Sequence, residues 1–383
     1  MIRKLLLTLC TLALTLAASA YAVEPIRIGT TQSLTGPLAE YGTNQLRGLQ
    51  MWAGDVNARG ELLGRPVEIV YYDDGSNPAR SAELYQKLIV EDKVDLVIGP
   101  YSSDITLAAS QVAEQHDFPM LTLGASADDI WEQGYRNIVG LDTPSSRYMD
   151  VALESAAAHG AKTMALLYGE TKFGLDVVGG VRSKAAELGM TIVLDESADN
   201  IADISTMVRH LGTANADVII AIAYIDGAVD LVRELKKARV KPRMLVFAVG
   251  ASLAEFGQEL LGDAEGVSGV TQWLRGIRLP GAQDFAYRYR KLYGYNPGAY
   301  AALGYSGGQV MEAAVRLAGT TDHAAVRDQL HSMVFNSLLG IYNVDAEGRQ
   351  VGKNNYLFQW QGKDRHLVAP TIVAETKLIY PMP

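Results

Sequence analysis

Two short turns in this sequence carry serine hydroxyls where an apolar run ends and a helical pattern begins. Ser103 follows "VDLVIGP", and Ser126 follows "FPMLTLG". Ligands of open parallel sheets bind beyond the C-terminal ends of the strands. The first N–H groups of a helix lack intrahelical partners and carry partial positive charge. Two such turns together could hold a carboxylate without Lys or Arg. Both serines could equally be helix N-caps alone, so these residues leave the two roles open.

A third serine lies in a motif that suggests different chemistry. Residues 304–308 read "GYSGG", which matches the G-x-S-x-G nucleophile elbow of α/β hydrolases, with Ser306 as nucleophile. That elbow requires a β-strand directly before the serine, whereas the preceding "AYAAL" has a helical composition. An esterase is therefore the less favoured alternative, and we predict no catalytic residues.

Metal and nucleic-acid chemistry have little support in the sequence. The six histidines show no metal-ligand spacing, and the single cysteine, Cys10, rules out a cysteine-based zinc site. The formal charge is −9 and no basic run is present, which argues against a nucleic-acid partner. We predict neither a metal nor a cofactor.

The first 22 residues have the pattern of a secretory signal peptide. Arg3 and Lys4 precede an apolar segment from Leu5 to Ala17, and residues 20–22 read "AYA", a small-x-small cleavage pattern. The apolar segment is shorter than the about 20 residues of a membrane span. We expect cleavage after Ala22 and a periplasmic location, and loss of Arg3 and Lys4 would change the formal charge from −9 to −11.

The elements that must position the serines alternate along the chain. Apolar, β-branched runs alternate with helical patterns up to Pro144, and a second series of similar length ends near Trp273. Helices and a short β-rich tail follow. Single helices between strands predict parallel sheets with helices on both faces, so the sequence predicts an α/β protein with two similar sheets.

Several segments together resemble a known family. "IRIGTTQSLTGPLAEYG", "GLQMWAGDVNARGELLGRPVEIVYYDD", "GPYSSDITLAAS", "FPMLTLGAS" and "NNYLFQWQG" occur in the order found in type I periplasmic solute-binding proteins of the leucine/isoleucine/valine-binding family, which serve ABC importers. The resemblance covers essentially all of the chain after the leader. It implies two Rossmann-like lobes joined by three crossovers, with a ligand cleft between them. Lobe one would comprise residues 24–143 plus 275–350, and lobe two residues 144–274 plus 351–383.

The resemblance also implies ligand contacts. Ser103 matches the serine that binds the ligand α-carboxylate, and Ser126 matches a threonine that contacts the carboxylate and the amino group. Tyr224 matches a tyrosine that closes over the amino-acid group, and Phe173 falls where a tyrosine is usual. The remaining positions carried over are the turn residues Gly124 and Ala125 and the pocket aromatics Tyr41, Tyr101 and Tyr305.

Two departures from the family pattern stand out. Ser102 replaces a cysteine of the family's disulfide, which affects stability more than function. Amino-acid binders carry an acid on the strand here written "MLVFAVG" to pair with the ligand ammonium, and this chain has Phe247 and Ala248 there. An unpaired buried ammonium is costly. Either Asp226 or a tyrosine face takes over this role, or the ligand has no amine; both alternatives stay open.

We therefore expect a non-enzymatic receptor. Its ligand would be an apolar amino acid or a deaminated or aromatic organic acid, captured by hinge closure. The closed protein would dock on the membrane permease of an ABC transporter, and we expect a monomer. A ligand-sensing regulator of the same fold would be cytoplasmic, and a receptor ectodomain would need a membrane segment.

Overall fold

The computed structural model describes residues 23–198 and 203–383. The predicted signal peptide, residues 1–22, lies outside the described residues. Within the described parts, no helix is long and apolar enough to cross a membrane.

The first half of the chain forms a five-stranded parallel sheet. The spatial order is β2-β1-β3-β4-β5. The strands are β1 (Ile26–Gln32), β2 (Val67–Asp73), β3 (Leu96–Ile98), β4 (Met120–Thr122) and β5 (Ile138–Gly140). The helices between them are α1 (Ala39–Ala58), α2 (Pro78–Val90), α3 (Ser103–Gln115) and α4 (Asp129–Glu132). The three-residue strands β3, β4 and β5 are fully buried and mostly apolar because helices cover both faces of the sheet, whereas the edge strand β2 is largely accessible.

A second sheet repeats this alternation. Its strands are β6 (Thr163–Tyr168), β7 (Thr191–Ser197), β8 (Val218–Ile222), β9 (Met244–Phe247) and β10 (Ser268–Thr271). Helix α5 (Asp150–Ala158) precedes β6, and the helices between the strands are α6 (Lys172–Glu187), α7 (Ile204–Ala214), α8 (Ile225–Ala238) and α9 (Ala254–Leu260). These five strands are parallel to their neighbours in the order β10-β9-β8-β6-β7. The predicted α/β fold with two parallel sheets is confirmed.

The rest of the chain returns to the first sheet and then back to the second. Helices α10 (Ala282–Tyr293), α11 (Ala299–Ala318) and α12 (His323–Ser332) come first. A hairpin of β11 (Phe335–Ser337) and β12 (Gly340–Tyr342) follows. The final strands, β13 (Tyr356–Gln361) and β14 (Asp364–Ala369), extend the second sheet next to β10 in antiparallel orientation. The second sheet is therefore mixed at this edge.

Helices α1 and α11 pack at very short distance, and this packing accounts for the "GYSGG" motif. A Cβ atom on Gly304 would lie 1.9 Å from the Gln45 carbonyl oxygen, and one on Gly48 would lie 1.9 Å from that of Ala301. Ser306 is fully buried inside α11, seven residues from its start. The strand-turn-helix geometry of a nucleophile elbow is absent at this serine, so the motif reflects helix packing.

The chain passes between the two sheets three times. The first passage follows β5, the second follows β10, and the third connects β12 to β13. The lobe boundaries at residues 143/144, 274/275 and 350/351 stay predictions, because the passages are extended segments rather than single points.

Candidate functional site

The two serine turns lie side by side because β3 and β4 are neighbours in the first sheet. The Ser102 N–H donates to the Gly124 carbonyl oxygen at 3.0 Å. The Ser103 Oγ accepts hydrogen bonds from the N–H groups of Ser126 at 3.2 Å and Ala127 at 3.1 Å. A hydroxyl oxygen has two lone pairs, so the Ser103 hydroxyl hydrogen is left to donate elsewhere. Ser103 lines a cleft between the two sheets, so that donor is available to a ligand there.

A second hydroxyl joins this arrangement. The Ser126 Oγ lies 2.9 Å from the Ser145 Oγ, and the Ser145 N–H donates to the Ser126 carbonyl oxygen at 2.7 Å. Helix α3 begins at Ser103 and points its first N–H groups, which carry partial positive charge, toward the same place. Hydroxyl donors and a helix N-terminus together form a neutral cradle suited to a carboxylate.

The residue before the cradle has an unusual backbone. Ser102 has φ +79° and ψ 145°, a region that glycine enters readily and other residues rarely. Such a conformation costs about 1–3 kcal/mol and persists only when the surroundings impose it. Here the hydrogen bond from the Ser102 N–H to Gly124 ties the residue to the neighbouring turn. The conformation sets where α3 starts relative to the cleft.

Four tyrosines pack as one cluster at the cleft. The rings of Tyr41 and Tyr101 stack with centroids 5.1 Å apart and an interplanar angle of 3°. Tyr300 meets both rings edge-on, at 5.0 Å from Tyr41 and 5.4 Å from Tyr101. Tyr224 approaches Tyr41 from the second sheet at 5.5 Å. Tyr101, Tyr224 and Tyr300 line the cleft, whereas Tyr41 supports them from behind.

Two further aromatic side chains line the cleft on the side of the second sheet. Tyr148 and Phe173 meet edge-on, with ring centroids 5.2 Å apart. Burial raises the pKa of Tyr300 to about 12, and it raises the pKa values of Tyr148 and Tyr224 well above their ordinary range. The phenols therefore keep their protons at neutral pH and can donate hydrogen bonds.

The structure places several predicted contacts outside the cleft lining. Tyr305 points away from it: its hydroxyl donates to the Asp55 carboxylate at 2.7 Å, and Arg288 contacts the same hydroxyl. Asp226 is exposed in the first turn of α8. Ala248 and Ala125 are buried behind the lining, where the Ala248 N–H donates to Ala221 at 3.1 Å.

Other lining residues are absent from the predicted set. Tyr300 takes the place in α11 that the resemblance assigned to Tyr305, five residues later. The ends of β5 and β10 contribute Asp142 and Gln272, by the same strand-end rule that identified the serines. The remaining unpredicted lining residues are Ser102, Tyr148, Val249, Ser252, Val270, Thr271, Ala299 and Leu303.

Asp142 is the one acidic residue that lines the cleft in the described part of the chain, and it is already engaged. Its carboxylate accepts hydrogen bonds from the Gly124 N–H at 2.9 Å and from the Gln272 side-chain amide. The Gln272 amide oxygen in turn accepts from the Lys353 ammonium. Burial raises the pKa of Asp142 to about 6, against the lowering effect of Lys353. Burial lowers the pKa of Lys353 to about 8, so both groups are charged and compensate each other near neutral pH.

The two sides of the cleft touch each other at its rim. The Tyr41 hydroxyl accepts a hydrogen bond from the Ile225 N–H at 3.3 Å. The Asp128 N–H donates to the Asp176 carboxylate at 2.7 Å, and Lys172 pairs with Asp129 at 2.7 Å. The arrangement can thus enclose a small anion between a polar cradle and aromatic walls. Among the residues that the structure describes, no cluster of His, Cys, Asp or Glu could hold a metal ion.

Comparison with known proteins agrees with this architecture. A curated relative, Leu/Ile/Val-binding protein homolog 7 of Brucella melitensis biotype 1, is 26% identical over 96% of each chain. The crystal structure of the branched-chain amino acid transporter substrate binding protein LivJ from Streptococcus pneumoniae, in complex with isoleucine, has a TM-score of 0.81 at 22% identity and covers 91% of this chain and 100% of that one. The crystal structure of a solute binding protein of an ABC transporter from R. palustris, in complex with benzoate, has a TM-score of 0.79 at 20% identity. It covers 94% of this chain and 97% of that one. The sequence matches the family described as "Periplasmic binding protein" over residues 25–365, and the chain therefore belongs to that family.

Proposed function

We propose that this chain is the extracytoplasmic substrate-binding component of an ABC importer, and that its ligand is a small aromatic carboxylate without an α-amine. The carboxylate would accept hydrogen bonds from Ser103 at the start of α3 and from Ser126 in the turn after β4. The apolar part of the ligand would contact Tyr101, Phe173 and Tyr300. The protein would act without catalysis, by capture and release.

One observation carries the choice of an amine-free ligand: among the residues that the structure describes, the one carboxylate that lines the cleft, Asp142, is already engaged. Both oxygens of Asp142 already accept hydrogen bonds, and Lys353 compensates its charge. Asp226 is exposed and lies outside the lining. An unpaired ammonium in such a site costs several kcal/mol, which corresponds to a difference in Kd of about 100-fold or more. The benzoate complex of the R. palustris protein supports a carboxylate ligand of this class in the same fold.

An apolar amino acid is the second candidate. The Brucella relative carries the Leu/Ile/Val-binding name, and the Streptococcus pneumoniae protein holds isoleucine. In that case the ammonium would need Asp226 or the face of Tyr224, as the sequence suggested.

Thermal shift of ligand-stripped protein with matched pairs of ligands distinguishes the two candidates. The pairs are L-phenylalanine with 3-phenylpropionate and L-leucine with its 2-oxo acid, and benzoate is added alone. A ligand at 100 times its Kd stabilises the folded state by about 2.7 kcal/mol, so a true ligand raises the Tm clearly. We expect stabilisation only by amine-free acids. Stabilisation by the amino acids alone, lost in Asp226→Ala, would favour the second candidate.

The remaining parts of the proposal concern location and delivery. We propose export with cleavage after Ala22, closure of lobes 24–143 plus 275–350 and 144–274 plus 351–383 around the ligand, and docking of a monomer on a permease. N-terminal sequencing of the mature protein tests the cleavage site, and the change in radius of gyration on ligand binding tests the closure of the lobes. An uncleaved chain, or an unchanged radius in saturating ligand, would contradict them.

A further inference from the structure

A buried polar chain connects all three passages between the sheets. Asp142 lies two residues after β5 in the first passage, Gln272 directly follows β10 in the second, and Lys353 lies three residues before β13 in the third. All three side chains are buried, with exposed fractions of 3%, 8% and 9%. Asp142 and Gln272 line the cleft, whereas Lys353 stands behind them. A lysine is rarely buried this deeply unless it is paired.

The chemistry of the three groups fixes how they pair. A carboxylate only accepts hydrogen bonds and an ammonium only donates them, so the amide between them must present its NH₂ to Asp142 and its oxygen to Lys353. The structure has this orientation. Gln272 therefore links the Lys353 ammonium, through two hydrogen bonds, to the Asp142 carboxylate at the wall of the cleft.

We propose that Lys353 is a specificity-determining residue that acts through Gln272 and Asp142: it neutralises the cleft carboxylate, and so favours amine-free acids over amino acids. This inference rests on the proposed function and deepens it. Asp142 accepts from the Gly124 N–H, two residues before Ser126, so its charge lies next to the proposed carboxylate cradle. Without Lys353, an ionised Asp142 would repel a ligand carboxylate and attract an ammonium.

The effect has a pH dependence that a purely structural role would lack. The ionisable groups around Asp142 are Lys353 from the third passage, Tyr148 from the turn after β5 and Tyr300 from α11. The two phenols stay neutral below pH 9, because burial raises their pKa values. In Lys353→Met, Asp142 alone then changes charge between pH 5 and pH 9. The repulsion would be small at pH 5, where Asp142 is protonated, and larger at pH 7, where Lys353 of the wild type is still charged and compensates Asp142.

The experiment compares wild type with Lys353→Met, Asp142→Asn and the double variant. Calorimetry at pH 5 and pH 7 measures Kd for 3-phenylpropionate and L-phenylalanine. Lys363→Met removes an exposed lysine from the turn after β13 and serves as the control. At pH 7 we expect Lys353→Met to shift the ratio of the two Kd values at least tenfold toward the amino acid. The shift should shrink at pH 5, and the double variant should restore the ratio to within threefold of wild type.

Equal losses for both ligands in Lys353→Met, unchanged between the two pH values, would overturn the inference. If wild type binds neither probe, the proposed function is contradicted for this pair, and ligand-free protein then tests the charge compensation on which the inference depends. We then expect the double variant to melt at higher temperature than Lys353→Met. Additive losses of Tm in the two single variants would show that Asp142 and Lys353 are not coupled.

Discussion

Replacement of Ser103 by alanine tests the carboxylate cradle at its centre. The Ser103 Oγ accepts two N–H bonds, from Ser126 and Ala127, and its hydrogen is free for the ligand. Losing a hydrogen bond to a charged group costs about 1.5–3 kcal/mol, so the Kd of a carboxylate ligand should rise about 10- to 150-fold. The two N–H groups lose their partner as well, at about 1–3 kcal/mol each. We therefore expect the free energy of unfolding to fall by about 2–6 kcal/mol in the absence of ligand.

Two assays separate the two consequences. Calorimetry with the ligand that stabilises wild type gives the change in Kd, and urea unfolding of ligand-free protein gives the change in stability. Ser110→Ala is the matched control, because Ser110 is also a buried serine of α3, but its hydroxyl donates to the Leu107 carbonyl oxygen within the helix. The control should bind with wild-type Kd. Wild-type affinity in Ser103→Ala would refute the cradle, whatever the change in stability.

Three further variants probe neighbouring features. Ser102→Gly should raise the free energy of unfolding, measured by urea denaturation, by about 1 kcal/mol. Glycine relieves about 1–3 kcal/mol of backbone strain, but it loses about 0.4–1 kcal/mol through the greater chain entropy of the unfolded state. A loss of stability would contradict the proposed strain at Ser102. Burial raises the pKa of Asp142 from its ordinary value near 4 to about 6, so the folded state takes up its proton more readily than the unfolded state. The free energy of unfolding of wild type relative to Asp142→Asn should therefore fall as pH rises from about 4 to about 6, and a flat difference would contradict this. Tyr300→Leu should weaken ligand binding about tenfold in calorimetry through lost ring contacts, whereas Tyr305→Phe should leave the Kd unchanged; the reverse order would restore Tyr305 to the site.

The sequence predicted the architecture and the centre of the site for physical reasons. Strands that alternate with single helices along a chain pair in parallel, and the helices cover both faces of the sheet. The alternation of apolar runs and helical patterns therefore predicts this architecture. Serines at the ends of consecutive strands meet whenever those strands are neighbours, as β3 and β4 are. Ser103 and Ser126 therefore lie together, and the Ser126 N–H donates to the Ser103 hydroxyl.

The parts that sequence reasoning missed depend on side-chain direction and on distant contacts. Tyr300 and Tyr305 both lie on α11, and periodicity alone does not tell which of them faces the cleft. Gln272 contacts Asp142 across 130 residues and Lys353 across 81 residues. No local pattern joins three polar residues from three separate passages, so their pairing emerges only when the sheets are assembled.

The charge of the ligand is the central claim, and one titration tests it most directly. Ligand-stripped wild-type protein is titrated at pH 7 with 3-phenylpropionate and, separately, with L-phenylalanine, which differ by the α-amine alone. The compensated Asp142 predicts binding of 3-phenylpropionate with a Kd at least 100-fold lower than that of L-phenylalanine. Tighter binding of L-phenylalanine would contradict the account, because the ammonium would then pair with a group other than the compensated Asp142.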